Sequence, residues 1–167
     1  MKKLIVFALI FAMLTIPFVG CTKTPAHFTG NWSFSKISKV QLLSVDMSED
    51  DLNALMDSYS ATTPEGIEAN ALAAFAADGT FAPCYLKFEK KNSYSYDPVG
   101  EREATWVFYQ TGENTGFLSF YAELNAADGN PDPANNPDVV YDPESGTLSM
   151  TIRHTVFKVT VELTKQK

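Results

Sequence analysis

The stretch TVFKVTVELTK, residues 155–165, alternates apolar and polar side chains almost without a break. Phe157, Val159, Val161 and Leu163 share one face, and Lys158, Thr160, Glu162 and Thr164 share the other, which is the two-residue period of a half-buried β-strand. The same chemistry recurs upstream. EATWVFYQ and GFLSFYAEL flank TGENTG, a strong hairpin signal. DVVYDPESGTLSMTI places the turn chemistry of DPESG between two short strands. TFAPCYLKFEKKNSYSY has strand composition, with Pro83 marking an edge or a bulge. GNWSFSKISKVQLL reads as a first strand whose imperfect alternation of Trp32, Phe34, Ile37 and Val40 predicts a bulge.

Two segments between the first strand and the rest break this period. In SEDDLNALMDSYS, Leu52, Leu55, Met56 and Tyr59 fall at i, i+3, i+4 and i+7, one face of a helix. Ser48 is its N-cap, with Asp51 three residues on, and Glu49, Asp50 and Asp51 sit where the helix dipole favours negative charge. Thr63-Pro64 predicts a second helix start for the alanine-rich EGIEANALAAFAA. Asp78-Gly79 is either the end of that helix or a hairpin turn, and the helix reading is favoured. Many strands joined by short turns, with two helices inserted after the first strand, predict a mainly β (α+β) chain. The expected form is an antiparallel barrel or half-barrel, with a β-sandwich as the alternative.

The N-terminus carries different information. Met1-Lys2-Lys3 is a basic start, and Leu4–Val19 is apolar except at Thr15 and Pro17. That run is shorter than the roughly 20 residues of a transmembrane helix and reads as a secretory signal peptide. Phe18-Val19-Gly20-Cys21 resembles the lipobox of bacterial lipoprotein precursors, with Phe18 in place of the usual leucine. The resemblance implies cleavage before Cys21 and lipidation of Cys21. The expected organisation is a signal peptide over 1–20, a lipidated tether over 21–29 and a β domain over 30–167. The chain is then held in the bacterial cell envelope by its N-terminal lipid. The outer membrane is the expected one, and its face is left open. With Cys21 lipidated, no intramolecular disulfide to Cys84 can form; the apolar surroundings of Cys84 predict burial.

About 147 residues follow the leader, the size of one ordinary domain. The formal charge is -7, and about -9 once Lys2 and Lys3 are removed. Such a domain lacks the cationic footprint that nucleic acid requires.

Catalytic signatures are missing from the sequence: there is no nucleophile elbow, phosphate loop, dinucleotide fingerprint or zinc motif. Of the two histidines, His27 belongs to the tether and His154 to a turn or strand end. Glu101 and Glu103 read as a solvated pair. Asp128, Asn130 and Asp132 have the spacing of an EF-hand start, but Pro133 replaces the glycine and Val139 the final glutamate. Neither an enzyme, a cofactor nor a metal site is expected.

Aromatic residues gather on the central hairpin, with Trp106 and Phe108 on one face and Tyr109 on the other. Trp106, Phe108, Phe120 and Phe157 are candidates for an apolar ligand pocket, although in a small barrel such residues more often fill the core. Gly30-Asn31-Trp32, where the first strand begins, resembles the Gly-x-Trp signature of lipocalins and related calycin barrels. Asp78-Gly79-Thr80-Phe81 resembles a turn common in bacterial lipocalin-like lipoproteins. This resemblance implies that Trp32 packs under the closed end of a barrel and that Gly30 permits a sharp turn before it. The two-helix insertion, and the lack of a long helix before the last strand, depart from the lipocalin pattern. The expectation is a non-catalytic, membrane-anchored domain that binds a small hydrophobic ligand or an envelope partner. The alternative is a structural or accessory subunit of a surface assembly or glycan-uptake system.

Overall fold

The alternating segments become eight strands. They are β1 (Gly30–Leu42), β2 (Tyr85–Phe88), β3 (Ser93–Asp97), β4 (Ala104–Gln110), β5 (Thr115–Phe120), β6 (Asp138–Asp142), β7 (Thr147–His154) and β8 (Phe157–Lys165). The structure is a computed structural model that describes residues 24–43, 47–89, 93–97, 104–120 and 136–167. Every strand pairs antiparallel with the next in chain order, and β8 pairs back onto β1, so the sheet closes into a barrel rather than a sandwich. Closure removes the unpaired edges that an open sheet would expose. The long β1·β8 seam carries register shifts between Phe34 and Lys36 and between Ile37 and Lys39. These are the irregularities that the broken alternation of β1 predicts, and they let one strand bend around the barrel.

The core follows the two-residue period. Phe157, Val159, Val161 and Leu163 of β8 are buried, as are Leu148, Met150 and Ile152 of β7. Trp32, Ile37 and Val40 of β1, Leu86 and Phe88 of β2, Phe108 of β4, Leu118 of β5 and Val139 of β6 complete it. Cys84 is buried just before β2. Pro83 lies in the turn ahead of β2, not inside a strand.

The two helices are α1 (Glu49–Ser58) and α2 (Pro64–Asp78). Ser48 caps α1: its hydroxyl accepts from the Asp51 amide at 3.2 Å and donates to the Asp51 carboxylate at 2.6 Å. Thr63 caps α2 by accepting from the Gly66 amide. Gly79, at φ 71°, ends it in the left-handed conformation that glycine tolerates. Asp78-Gly79 is thus a helix end. Ile67, Ala71 and Phe75, four residues apart, are the buried stripe of α2. Leu52, Leu55 and Met56 of α1, with Tyr59 at its C-cap, pack against the core but stay only partly buried. Among the described residues no helix is long and apolar enough to cross a membrane.

Both ends of the barrel are stoppered by aromatic rings. Where β1 begins, Phe28 is fully buried, with ring centroids 4.8 Å from Phe108 and 5.8 Å from Phe88. The Trp32 indole N–H donates to the Phe28 carbonyl at 2.7 Å, and the Lys165 ammonium lies 5.4 Å from the Trp32 ring. Gly30 turns the chain there at φ 131°. The segment read as a tether is therefore part of the fold from Thr24 onward. His27 lies between Phe28 and Tyr141 in tilted ring contacts and is 3.1 Å from the Glu113 carbonyl. At the other end, Phe157 meets Tyr59 at 5.5 Å and Phe75 at 5.8 Å, and Phe75 meets Phe81 at 5.7 Å. Helix α2 and the approach to it form this second stopper.

Candidate functional site

Of the four aromatic residues proposed from sequence as a ligand pocket, the described side chains of Phe108 and Phe157 stand at opposite ends of the barrel, Phe108 in the stopper at the first end and Phe157 in that at the second. Trp106 is partly buried against the core, and its register partner across the hairpin is Phe120, whose side chain lies outside the described residues. On the other face of β4, Tyr109 stacks on Phe117 at 5.1 Å, and burial raises the pKa of its phenol. Between the stoppers, Leu86, Leu118, Val139, Leu148, Met150, Val159 and Val161 are each fully buried. The described interior is a packed core, in keeping with small barrels whose inward side chains meet at the axis.

Among the described residues, His154 is the one histidine on the strands. His154 is half-buried against Phe75 and Phe81, with ring centroids at 5.5 and 5.4 Å. Among the described residues no three His, Cys, Asp or Glu side chains gather as a metal site would require. Glu101, Glu103, Asp128, Asn130 and Asp132 lie outside the described residues, as does Cys21. Asp78 is fully exposed, and its carboxyl is held below the usual aspartate range by the hydroxyl and then the amide of Thr80. The turn between β6 and β7 does the same for Asp142 through Ser145 and Glu144.

A hollow lies outside the barrel. It is an open groove of about 600 Å³ at the second end, between α1 and the β7–β8 hairpin. Helix α1 contributes Asp51, Ala54, Leu55 and Ser58, which fall at i, i+3, i+4 and i+7 and so share one face. The small side chains of Ala54 and Ser58 leave the space. The opposite wall is Arg153, Thr155 and Val156, and Leu43 and Met47 complete the lining. This wall is firmly placed, because the Leu43 amide donates to the Val156 carbonyl at 2.8 Å and the Leu42 amide to the Glu68 carboxylate at 2.8 Å. Thr155 stands at φ 51° in the tip of the hairpin, a conformation that disfavours a β-branched side chain. The volume falls within the range of small-molecule sites, about 300–1,000 Å³, and five of the nine lining residues are apolar. Sequence reading of α1 found its core-facing stripe but not the adjoining groove face. The one signal was the pairing of small residues Ala54 and Ser58 one turn apart.

No protein-family model, no curated protein and no solved structure matches the chain.

Proposed function

We propose that this chain is a lipid-anchored, non-enzymatic protein of the bacterial cell envelope, with a filled barrel as scaffold and the α1–hairpin groove as its binding site for a small, largely apolar ligand. The observation that carries this reading is the opposition of two ends. The described chain starts at Thr24, at the stopper where β1 begins, whereas the groove opens at the far end of β8. From Phe157 to Lys165, β8 spans about 26 Å along the strand. An anchor at Cys21 is three residues from Thr24, a reach of at most about 11 Å. The end where β1 begins then faces the bilayer and the groove faces away from it. The Gly30-x-Trp32 and Asp78-Gly79-Thr80-Phe81 resemblances to lipocalin-like lipoproteins agree with the eight-stranded barrel.

The packed interior favours the groove over an internal cavity as the place for a ligand. Among the described residues, Val140 is the exposed large hydrophobic. So small an apolar surface supports a small ligand over a broad protein interface. Two measurements test the reading. Mass spectrometry of the membrane-extracted chain should find acyl groups on a new N-terminus at Cys21, and Cys21→Ala should release the protein from membranes. An unmodified Cys21 would remove the anchor from the proposal.

A further inference from the structure

We infer that the groove takes a short apolar peptide with free termini, its ammonium set at Asp51 and its carboxylate at Arg153. This rests on the reading of the groove as the ligand site and adds the chemistry of what enters it. The lining holds one acid and one base, on opposite walls and both exposed. Among the described residues neither Asp51 nor Arg153 forms an ion pair, with the other or with any third group, whereas Lys36 on β1 is paired with Glu162 at 3.2 Å. Each wall fixes its own charge. The Asp51 carboxylate receives the Ser48 hydroxyl at 2.6 Å. Arg153 stands near the end of β7, where the hairpin is held by the pairing of His154 with Phe157 and by the Leu43 amide on the Val156 carbonyl.

The surroundings extend this division of sign. Glu49 and Asp50 share the first turn of α1 with Asp51, and together they outweigh the roughly half positive charge of a helix start. Beside Arg153 stands Lys158, its register partner on β8, and the two border a small hollow with Asp138, so that wall keeps a positive balance. The groove is thus polarised from wall to wall. A ligand of one charge, of either sign, meets one attracting wall and one repelling wall, whereas a zwitterion satisfies both. The guanidinium takes a carboxylate through parallel N–H···O bonds, and Asp51 accepts from an ammonium. From Asp51 to Ser58 the helix wall runs about 10 Å. An extended peptide of two or three residues, about 7–10 Å long, matches that scale, whereas a free amino acid carries both charges on one carbon. Leu43, Met47, Ala54, Leu55 and Val156 line the space for apolar side chains.

The test uses residues 22–167, which retain every described element and every buried core side chain. Calorimetric titration compares leucyl-leucine, its N-acetyl form without the ammonium, its amide without the carboxylate, and leucine. Decanoate, an apolar chain with no ammonium, tests the groove by itself below the concentration at which it aggregates. Leucyl-leucine should bind about fivefold more tightly than either blocked form, and leucine more weakly still. Asp51→Asn should erase the loss caused by acetylation and keep that caused by amidation, and Arg153→Gln should do the reverse. Ala54→Trp, or Ser58→Phe if the first variant folds poorly, should block every probe. A blocked form that binds as tightly as leucyl-leucine, preferences unchanged in both charge variants, or binding of decanoate alone would overturn the zwitterion while sparing the groove. Leucine binding as tightly as leucyl-leucine would overturn the peptide. Absence of binding by every probe, decanoate included, or binding untouched by both groove-filling variants, would overturn the groove as a ligand site.

Discussion

Gly116 shows how single positions set the packing of this barrel. A β-carbon there would come within 2.2 Å of the Phe108 ring and 2.6 Å of the Tyr109 carbonyl. Phe108 is locked in turn by Phe28 and Phe88, so it cannot yield. Gly116→Ala should cost about 1–3 kcal/mol of stability, read as a lower denaturant midpoint with an unchanged slope. The exposed turns act through hydrogen bonds. Asp78 and Asp142 have carboxyl groups held below the ordinary aspartate range, Asp78 chiefly by the Thr80 hydroxyl and Asp142 chiefly by Ser145. A depressed native pKa means the unfolded chain binds protons first. Their contribution is complete above the ordinary aspartate range and is lost as pH falls through the lower native values. The thermal midpoint should fall on acidification in that window, and Thr80→Val should make the fall smaller. A midpoint that rises on acidification there, or an equal fall in the variant, would contradict this.

At the level of elements, most of the fold is legible in the sequence because local chemistry and final environment agree. The β8 alternation is its burial pattern. The TGENTG hairpin and the DPESG turn join strands as their composition predicts, with Gly146 at φ 67° in the second. Thr63, Pro64 and Gly79 mark the limits of α2. What could not be read are features that exist only after closure. Phe28 looks like part of a linker because its neighbours are polar, and its partners Phe88 and Phe108 lie far along the chain. The groove is assembled from the end of β1, one face of α1 and the β7–β8 turn, and no spacing within one segment announces it. Nor does strand alternation reveal that Phe108 and Phe157 stand at opposite ends. Helix α2 should matter more to stability than α1, since only α2 has fully docked residues. Phe75→Ala should cost about 3–5 kcal/mol, against about 1 kcal/mol for loss of the α1 cap in Ser48→Ala. Chemical denaturation of both variants checks the order.

For the molecule as a whole, the closed sheet divides labour between its two ends. One end takes in the N-terminal segment through Phe28, His27 and the Trp32–Lys165 contact. The other carries the helices and the open groove. The described interior is packed, so the place where a ligand binds separates this arrangement from a barrel that carries cargo inside. Amide and methyl NMR spectra of residues 22–167 titrated with decanoate measure that place directly. The groove reading predicts shifts confined to Asp51–Ser58, Leu43 and Arg153–Val156, with Leu118, Val139 and Met150 unmoved. Shifts centred on Leu118, Val139 and Met150, with the α1 and hairpin signals unchanged, would contradict it.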